Sequence, residues 1–136
     1  MRQPIHSDKA PKARGPYSPA MVASGPMVYI SAQGPIDPVT NQNRGGSFME
    51  QAEQVFQNVT ALLEAAGSSW AHAVKVTVYL ADFADFAKMN DVYLRYVSEP
   101  FPARTTVHSR IGQSDIAVDC ISLVAEVAEV AEGQAE

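Results

Sequence analysis

One cysteine, one tryptophan and three histidines leave this 136-residue chain poor in the residues that usually announce a chemistry. Cys120 alone allows no internal disulfide. It sits among Val118, Ile121 and Leu123 in a strand-like run, where a thiol serves as a small apolar filler rather than a nucleophile. His6, His72 and His108 are far apart, none with a second ligand at helical or turn spacing, so no metal is expected. Gly45-Gly46 has no lysine after it, which excludes a phosphate-cradling glycine loop, and no cofactor is expected. No apolar run approaches the ~20 residues of a membrane span. The start Met1-Arg2-Gln3-Pro4 lacks the apolar core of a secretory signal, so the expected location is cytoplasmic.

Basic charge is short as well. The formal net charge is −5 at neutral pH. Glu126, Glu129, Glu132 and Glu136 carry four of those negative charges with no basic residue among them, which leaves the body at −1. With no basic stripe to neutralise phosphates, neither nucleic acid nor a membrane surface is an expected partner. Asn58-Val59-Thr60 matches a glycosylation sequon, but it falls inside a predicted helix and is read as chance.

What is present suits one domain. A chain of this length buries roughly two thirds of the surface it would expose when unfolded. Residues 1–16 are polar and proline-rich, hence loop or edge strand. Met21–Ser24 and Met27–Ala32 read as strands broken by Gly25-Pro26, and Asp37-Pro38-Val39-Thr40-Asn41 reads as a turn. Ser47 followed by Glu50 is a capping box, opening a helix whose apolar face is Phe48, Ala52, Val55, Phe56, Val59, Leu62, Leu63 and Ala66. Gly67 is its natural stop.

Val74–Leu80 alternates as a strand, with Val74, Val76, Val78 and Leu80 on one face and Lys75, Thr77 and Tyr79 on the other. Asp82 starts a second helix with Phe86, Met89, Tyr93 and Val97 as its apolar positions. Gly112-Gln113-Ser114-Asp115 turns the chain into a last strand from Ile116 to about Val127. Residues 1–127 thus form a single domain, and 128–136 an acidic tail, frayed or disordered.

Phe101-Pro102-Ala103-Arg104-Thr105-Thr106-Val107 is the most informative segment. Pro100 and Pro102 force extended chain, so Arg104 stands at the mouth of a strand. There its planar fork could grip a carboxylate through two charge-assisted bonds, or serve as a surface arginine in an ordinary ion pair. Two helices among about six strands cover only one face of a sheet. The other face is expected to carry Lys75, Thr77 and Tyr79 with Arg104, Thr106 and Asp119, and to be covered by association.

Gly15-Pro16-Tyr17-Ser18, Ile30-Ser31-Ala32-Gln33-Gly34, Phe86-Ala87-Lys88-Met89-Asn90 and the arginine segment occur in an order that resembles the reactive intermediate deaminase family, also called Rid or YjgF. The resemblance runs from about Lys12 to about Val127. It implies an α+β fold: a mixed sheet of about six strands with two helices on one face, like chorismate mutase. It also implies a homotrimer with sites between subunits.

The implied activity is hydrolysis of reactive 2-imino (enamine) acids to 2-keto acids and ammonia, a detoxification of metabolites. Such imines already hydrolyse in water, so orientation, polarisation of C=N and one placed water suffice. Carried over by position, Arg104 clamps the carboxylate, Tyr17 brings a hydroxyl to the substrate, and Ser31 and Asn90 are polar supports. Thr106 stands where many members have cysteine, and its backbone carbonyl could hold the water. Asp119 takes the place of the family's water-binding glutamate in an ungapped alignment. With a shortened preceding turn Ala117 takes that place, and Asp119 matches the next acid. The same scaffold is also open to hydrolysis of another small enamine or amide, or to a non-catalytic carboxylate-binding or chaperone-like trimer.

Overall fold

The computed structural model describes residues 1–125. The predicted tail 128–136 and the end of the last predicted strand lie outside them. The elements are β1 (Arg2–Ile5), β2 (Ala20–Ala23), β3 (Met27–Gln33), β4 (Ile36–Asp37), β5 (Gln42–Asn43), α1 (Phe48–Ala65), β6 (Ala73–Leu80), α2 (Phe86–Tyr96), β7 (Ala103–His108) and β8 (Ile116–Leu123).

The α+β class is as expected, but the sheet is smaller. Four strands share the main ladder in the order β3-β8-β6-β7, mixed because β6 and β7 run parallel while β8 is antiparallel to β3 and β6. β1 and β2 form a separate antiparallel pair, and β4 and β5 another. Pro100 and Pro102, which have no N–H to donate to a ladder, lie where the chain passes the β1–β2 pair. The pair is tied there instead by the Ser18 N–H to the Pro102 carbonyl at 3.1 Å, and by Arg2, whose Nε and Nη2 donate to the carbonyls of Ala73 (2.6 Å) and Pro100 (2.7 Å).

The first helix starts as its sequence dictates. Ser47 Oγ accepts from the Glu50 N–H and Glu50 Oε1 accepts from the Ser47 N–H, both at 3.2 Å. Gly67, at φ +72°, turns the chain away at the far end. Phe48, Ala52, Val55, Phe56, Val59 and Leu63 are buried as expected, but Leu62 is 41% exposed and drops out of the apolar face. Both atoms that made the sequon have structural work instead. Asn58 Nδ2 donates to the carbonyls of Gly34 and Ile36, and Thr60 Oγ1 accepts from the Trp70 indole at 2.8 Å.

α1 and α2 lie on the same side of the sheet. Their buried side chains share one core with Val76, Val78 and Leu80 of β6 and Ile116, Val118 and Cys120 of β8. The Cys120 thiol is buried there, and burial pushes its pKa up to about 12, which keeps it an unreactive filler. Asp82 caps a short 3₁₀ turn over Phe83–Asp85 rather than the helix itself, so α2 begins at Phe86. Phe86 therefore lies at the rim, 38% exposed, while Met89, Tyr93 and Val97 are buried as predicted.

Candidate functional site

Arg104 does not lie on the open face of the sheet. In the parallel ladder Val76 pairs with Arg104 and Val78 with Thr106, so both β7 residues fall in the row of the core valines, facing the helices. Asp119 pairs with Thr77, which places it in the opposite row with Lys75 and Tyr79. The expectation that Arg104, Thr106 and Asp119 share one face is thus corrected: within one chain Arg104 and Asp119 are on opposite sides of the sheet. The alternation was read properly within each strand, but the phase between strands is set by the ladder.

On the helix side, the edge position of β7 leaves Arg104 half-buried beneath the start of α2. Its Nη1 donates to Asn90 Oδ1 at 2.8 Å and approaches Met89 Sδ at 3.9 Å. The guanidinium carbon lies 4.9 Å from the Tyr93 ring centre and 5.7 Å from those of Tyr17 and Phe86, distances that favour cation–π attraction. Phe86, Asn90 and Tyr93 stand at i, i+4 and i+7, one stripe of α2, which is why one helix supplies three walls of this box. Tyr17 comes from the loop before β2, where its hydroxyl accepts from the Arg14 N–H at 3.2 Å.

The electrostatics of this box are unbalanced. Burial draws the Arg104 pKa below the ordinary guanidinium value, opposed by Tyr93 and Tyr17, yet arginine stays charged in any protein setting. Among the described residues, no carboxylate lies within ion-pair distance of it. Of its five N–H donors, one is taken by Asn90 and another has only a thioether. The remainder have no acceptor among the described residues. The buried hydroxyls of Tyr93 and Thr106 also find no partner among the described residues. Each such group costs about 1–3 kcal/mol.

The second group lies on the open face. Tyr79 Oη donates to Asp119 Oδ2 at 2.7 Å, and this bond, more than desolvation or the nearby charge, raises the Tyr79 pKa. Lys75 Nζ donates to Thr105 Oγ1 at 2.6 Å beside it. Ala117 occupies the same row, opposite Tyr79, but has no polar atom to offer. Ser31 follows Ile30, the partner of Cys120, and so approaches Asp119 across β3 and β8 before the strand bulges towards Gln33. Ser31 also borders a groove of about 490 Å³ at the β3 edge, which is walled on the helix side by Leu62, Ala65 and Ala66.

The predicted site residues thus fall into two sets: Tyr17, Asn90, Arg104 and Thr106 near one sheet edge, Ser31 and Asp119 on the other face. β3 and β7 are opposite edges of the four-stranded sheet, three strand spacings or roughly 14 Å apart. Sequence reasoning assigned Phe86 and Tyr93 to packing alone and Tyr79 to a face covered by association, not to Asp119. The signal for the first two was their helical spacing from Asn90.

A family model described as Endoribonuclease L-PSP matches residues 7–127. The chain belongs to this family, the YjgF/Rid family. Among its relatives, protein DfrA of Myxococcus xanthus is 48% identical over 107 residues, covering 78% of this chain and 82% of that protein. The 2-iminobutanoate/2-iminopropanoate deaminase of Capra hircus is 43% identical over 104 residues, 76% of this chain and 75% of that protein. The crystal structure of RidA from the Antarctic bacterium Psychrobacter sp. PAMC 21119 superposes with a TM-score of 0.68 at 44% identity, covering 90% of this chain and 99% of that one. The RidA structure shares the α+β architecture of this chain, two helices with a mixed sheet.

Proposed function

We propose that this YjgF/Rid protein hydrolyses 2-imino acids to 2-keto acids and ammonia, with Arg104 as the carboxylate clamp. The observation that carries the reading is the half-buried guanidinium with no acid within ion-pair distance among the described residues, fixed by Asn90 and boxed by Tyr17, Phe86 and Tyr93. A cation held this way suits a small planar anion that brings its own negative charge into the box. The deaminase name carried by the Capra hircus relative agrees with that chemistry.

In the proposed reaction the substrate carboxylate sits on the Arg104 fork. Water adds to the carbon of C=N, its oxygen forming the new C–O bond while the nitrogen takes up a proton. The resulting carbinolamine then expels ammonia as its hydroxyl loses a proton and becomes the keto C=O. Asp119 orients the water and takes its proton, and the Thr106 carbonyl is a second water acceptor. Because Asp119 and Ser31 lie across the sheet from Arg104, this assignment requires them to come from a neighbouring subunit, which the expected homotrimer would supply.

Imines generated in situ from amino acids by an amino-acid oxidase, with semicarbazide competing for them, provide the test. The protein should lower the yield of semicarbazone and raise that of free keto acid and ammonia. An unchanged partition would overturn the reading. The family description also names an endoribonuclease, and the body charge of −1 gives no electrostatic footprint for RNA.

A further inference from the structure

Three aromatic rings continue outward from the clamp along the surface. Phe86, 5.7 Å from the Arg104 guanidinium carbon, meets Phe83 edge-on with ring centres 6.2 Å apart. Phe83 in turn lies 5.3 Å from the His108 ring at an angle of 36°. His108 is two positions beyond Thr106 in the β7 row that begins with Arg104, so the strand and the 3₁₀ turn before α2 lead away from the guanidinium together. His108 Nε2 lies 3.0 Å from the Ala81 carbonyl oxygen; a carbonyl only accepts, so the imidazole donates there and is pinned against Phe83.

These rings do not serve the core. None belongs to the buried cluster that joins α1, α2 and the sheet, and Phe83 is 46% exposed. Side chains of this size are left half-wet while ordered against one another, and the row starts at a cation with no carboxylate in ion-pair distance among the described residues. Large apolar surface next to a charged anchor is the composition of a small-molecule site: the charge fixes one end and the apolar wall selects the other.

Resting on the deaminase reading, we propose that Phe83, Phe86 and His108 form the side-chain shelf of the Arg104 site and select 2-imino acids with aromatic or extended apolar side chains. With its carboxylate on Arg104, an imino acid has its reactive carbon one bond further out and its side chain beyond that, over Phe86 and Phe83. A methyl side chain covers little of this surface. A benzyl or isobutyl group covers it and gains ring contacts as well. Phe83 and His108 are positioned to set specificity, without contact to the reacting atoms.

The experiment measures binding and turnover separately. Phenylpyruvate and pyruvate, the corresponding keto-acid products, are titrated calorimetrically into the parent, Phe83→Ala, Phe83→Leu and Arg104→Ala. The parent should bind phenylpyruvate at least about tenfold more tightly than pyruvate, the scale of one good aromatic contact. Phe83→Ala should erase most of that preference while leaving pyruvate affinity unchanged, and Phe83→Leu should do so in part, standing in if the alanine variant fails to fold. Arg104→Ala should weaken both acids. Equal affinities in the parent, equal losses in Phe83→Ala, or no binding by either acid would overturn the shelf. Imine turnover without side-chain preference would sink the shelf and spare the deaminase reading. Phenylpyruvate preference without turnover would do the reverse.

Discussion

Tyr79 donates its phenol proton to Asp119 across the β6–β8 ladder at 2.7 Å, tying the acid of the open face to a fixed ring. Aspartate is one methylene shorter than the glutamate of the family pattern, and the tyrosine holds it in a single orientation. Ionising the phenol breaks the bond and sets two negative charges side by side, so the folded-state pKa of Tyr79 is raised. A raised folded pKa gives a contribution present below the unfolded pKa and lost as pH rises through the folded one. Tyrosinate absorbance should therefore show Tyr79, identified by its loss in Tyr79→Phe, titrating above the ordinary value of 10.0. In Asp119→Ala its midpoint should fall back towards that value. An unshifted midpoint in the parent would show that the bond does not persist in solution.

The same pair bears on catalysis. If Asp119 orients the attacking water, Asp119→Ala lowers kcat by about a hundredfold, the lower range of general-base effects. Asp119→Glu should retain activity because it restores the longer reach. Tyr79→Phe should cost about tenfold, the scale of one hydrogen bond to a charged group. Parent-like turnover by Asp119→Ala would assign the water to another group.

Arg104 is the clamp in this scheme, and a two-pronged contact to it sits near the upper end of ~1.5–3 kcal/mol for a hydrogen bond to a charged group. Arg104→Ala should therefore lose about a hundredfold in kcat/KM on imino acids. The variant should keep its fold and assembly, since Arg104 lies at the rim of the core on the edge strand β7 and its only short hydrogen bond among the described residues is to Asn90. Arg104→Lys should recover little, because an ammonium retains the charge without the fork. Thermal melting beside kinetics separates the effects, and full activity in Arg104→Ala would remove the deaminase reading.

α1 was legible to within a residue because Ser47, Glu50 and Gly67 encode both its ends locally. Arg104 was legible as an arginine at a strand start but not in its direction. A strand's alternation says which residues share a side, and only the pairing of Arg104 with Val76 says which side that is. An arginine in the row of buried valines is what a sequence pattern would assign to solvent, and it is tolerated because β7 is the edge strand and α2 offers Asn90 and ring faces. The two-residue strands β4 and β5 escaped for another reason: two residues show no period, and the turn that joins them was the visible signal. Tyr79 was seen as one of three amphipathic residues, with nothing local to tie it to Asp119, forty positions on.

The capping box is a local test of the fold. Ser47→Ala removes the acceptor for the Glu50 N–H and should destabilise the protein by about 1 kcal/mol. The reciprocal bond, from the Ser47 N–H to Glu50 Oε1, is the first cause that holds the Glu50 carboxyl below its ordinary pKa, with the Ser47 side chain second. Denaturant melts should show the loss at neutral pH with an unchanged slope. A change in imine turnover larger than the change in folded fraction would mean that α1 reaches the site by some route other than stability.

The placement of Arg104 and Asp119 on opposite sides of one sheet makes the shared-site proposal testable without a structure of the assembly. Arg104→Ala and Asp119→Ala homotrimers should each be nearly inactive. Mixed by co-refolding in equal amounts, they form trimers in which some interfaces pair an intact Arg104 from one subunit with an intact Asp119 from the next. Random assembly makes that about one interface in four, so the mixture should recover about a quarter of parental activity. Light scattering should report a trimer for the parent and for both variants, with Lys75, Thr77 and Tyr79 shielded from solvent. If the parent is a monomer at micromolar concentration, or if co-refolding restores nothing, the site cannot be built from two subunits. Arg104 would then have to work with groups on its own side of the sheet, with Asn90, Tyr17 and Thr106 as the first to test.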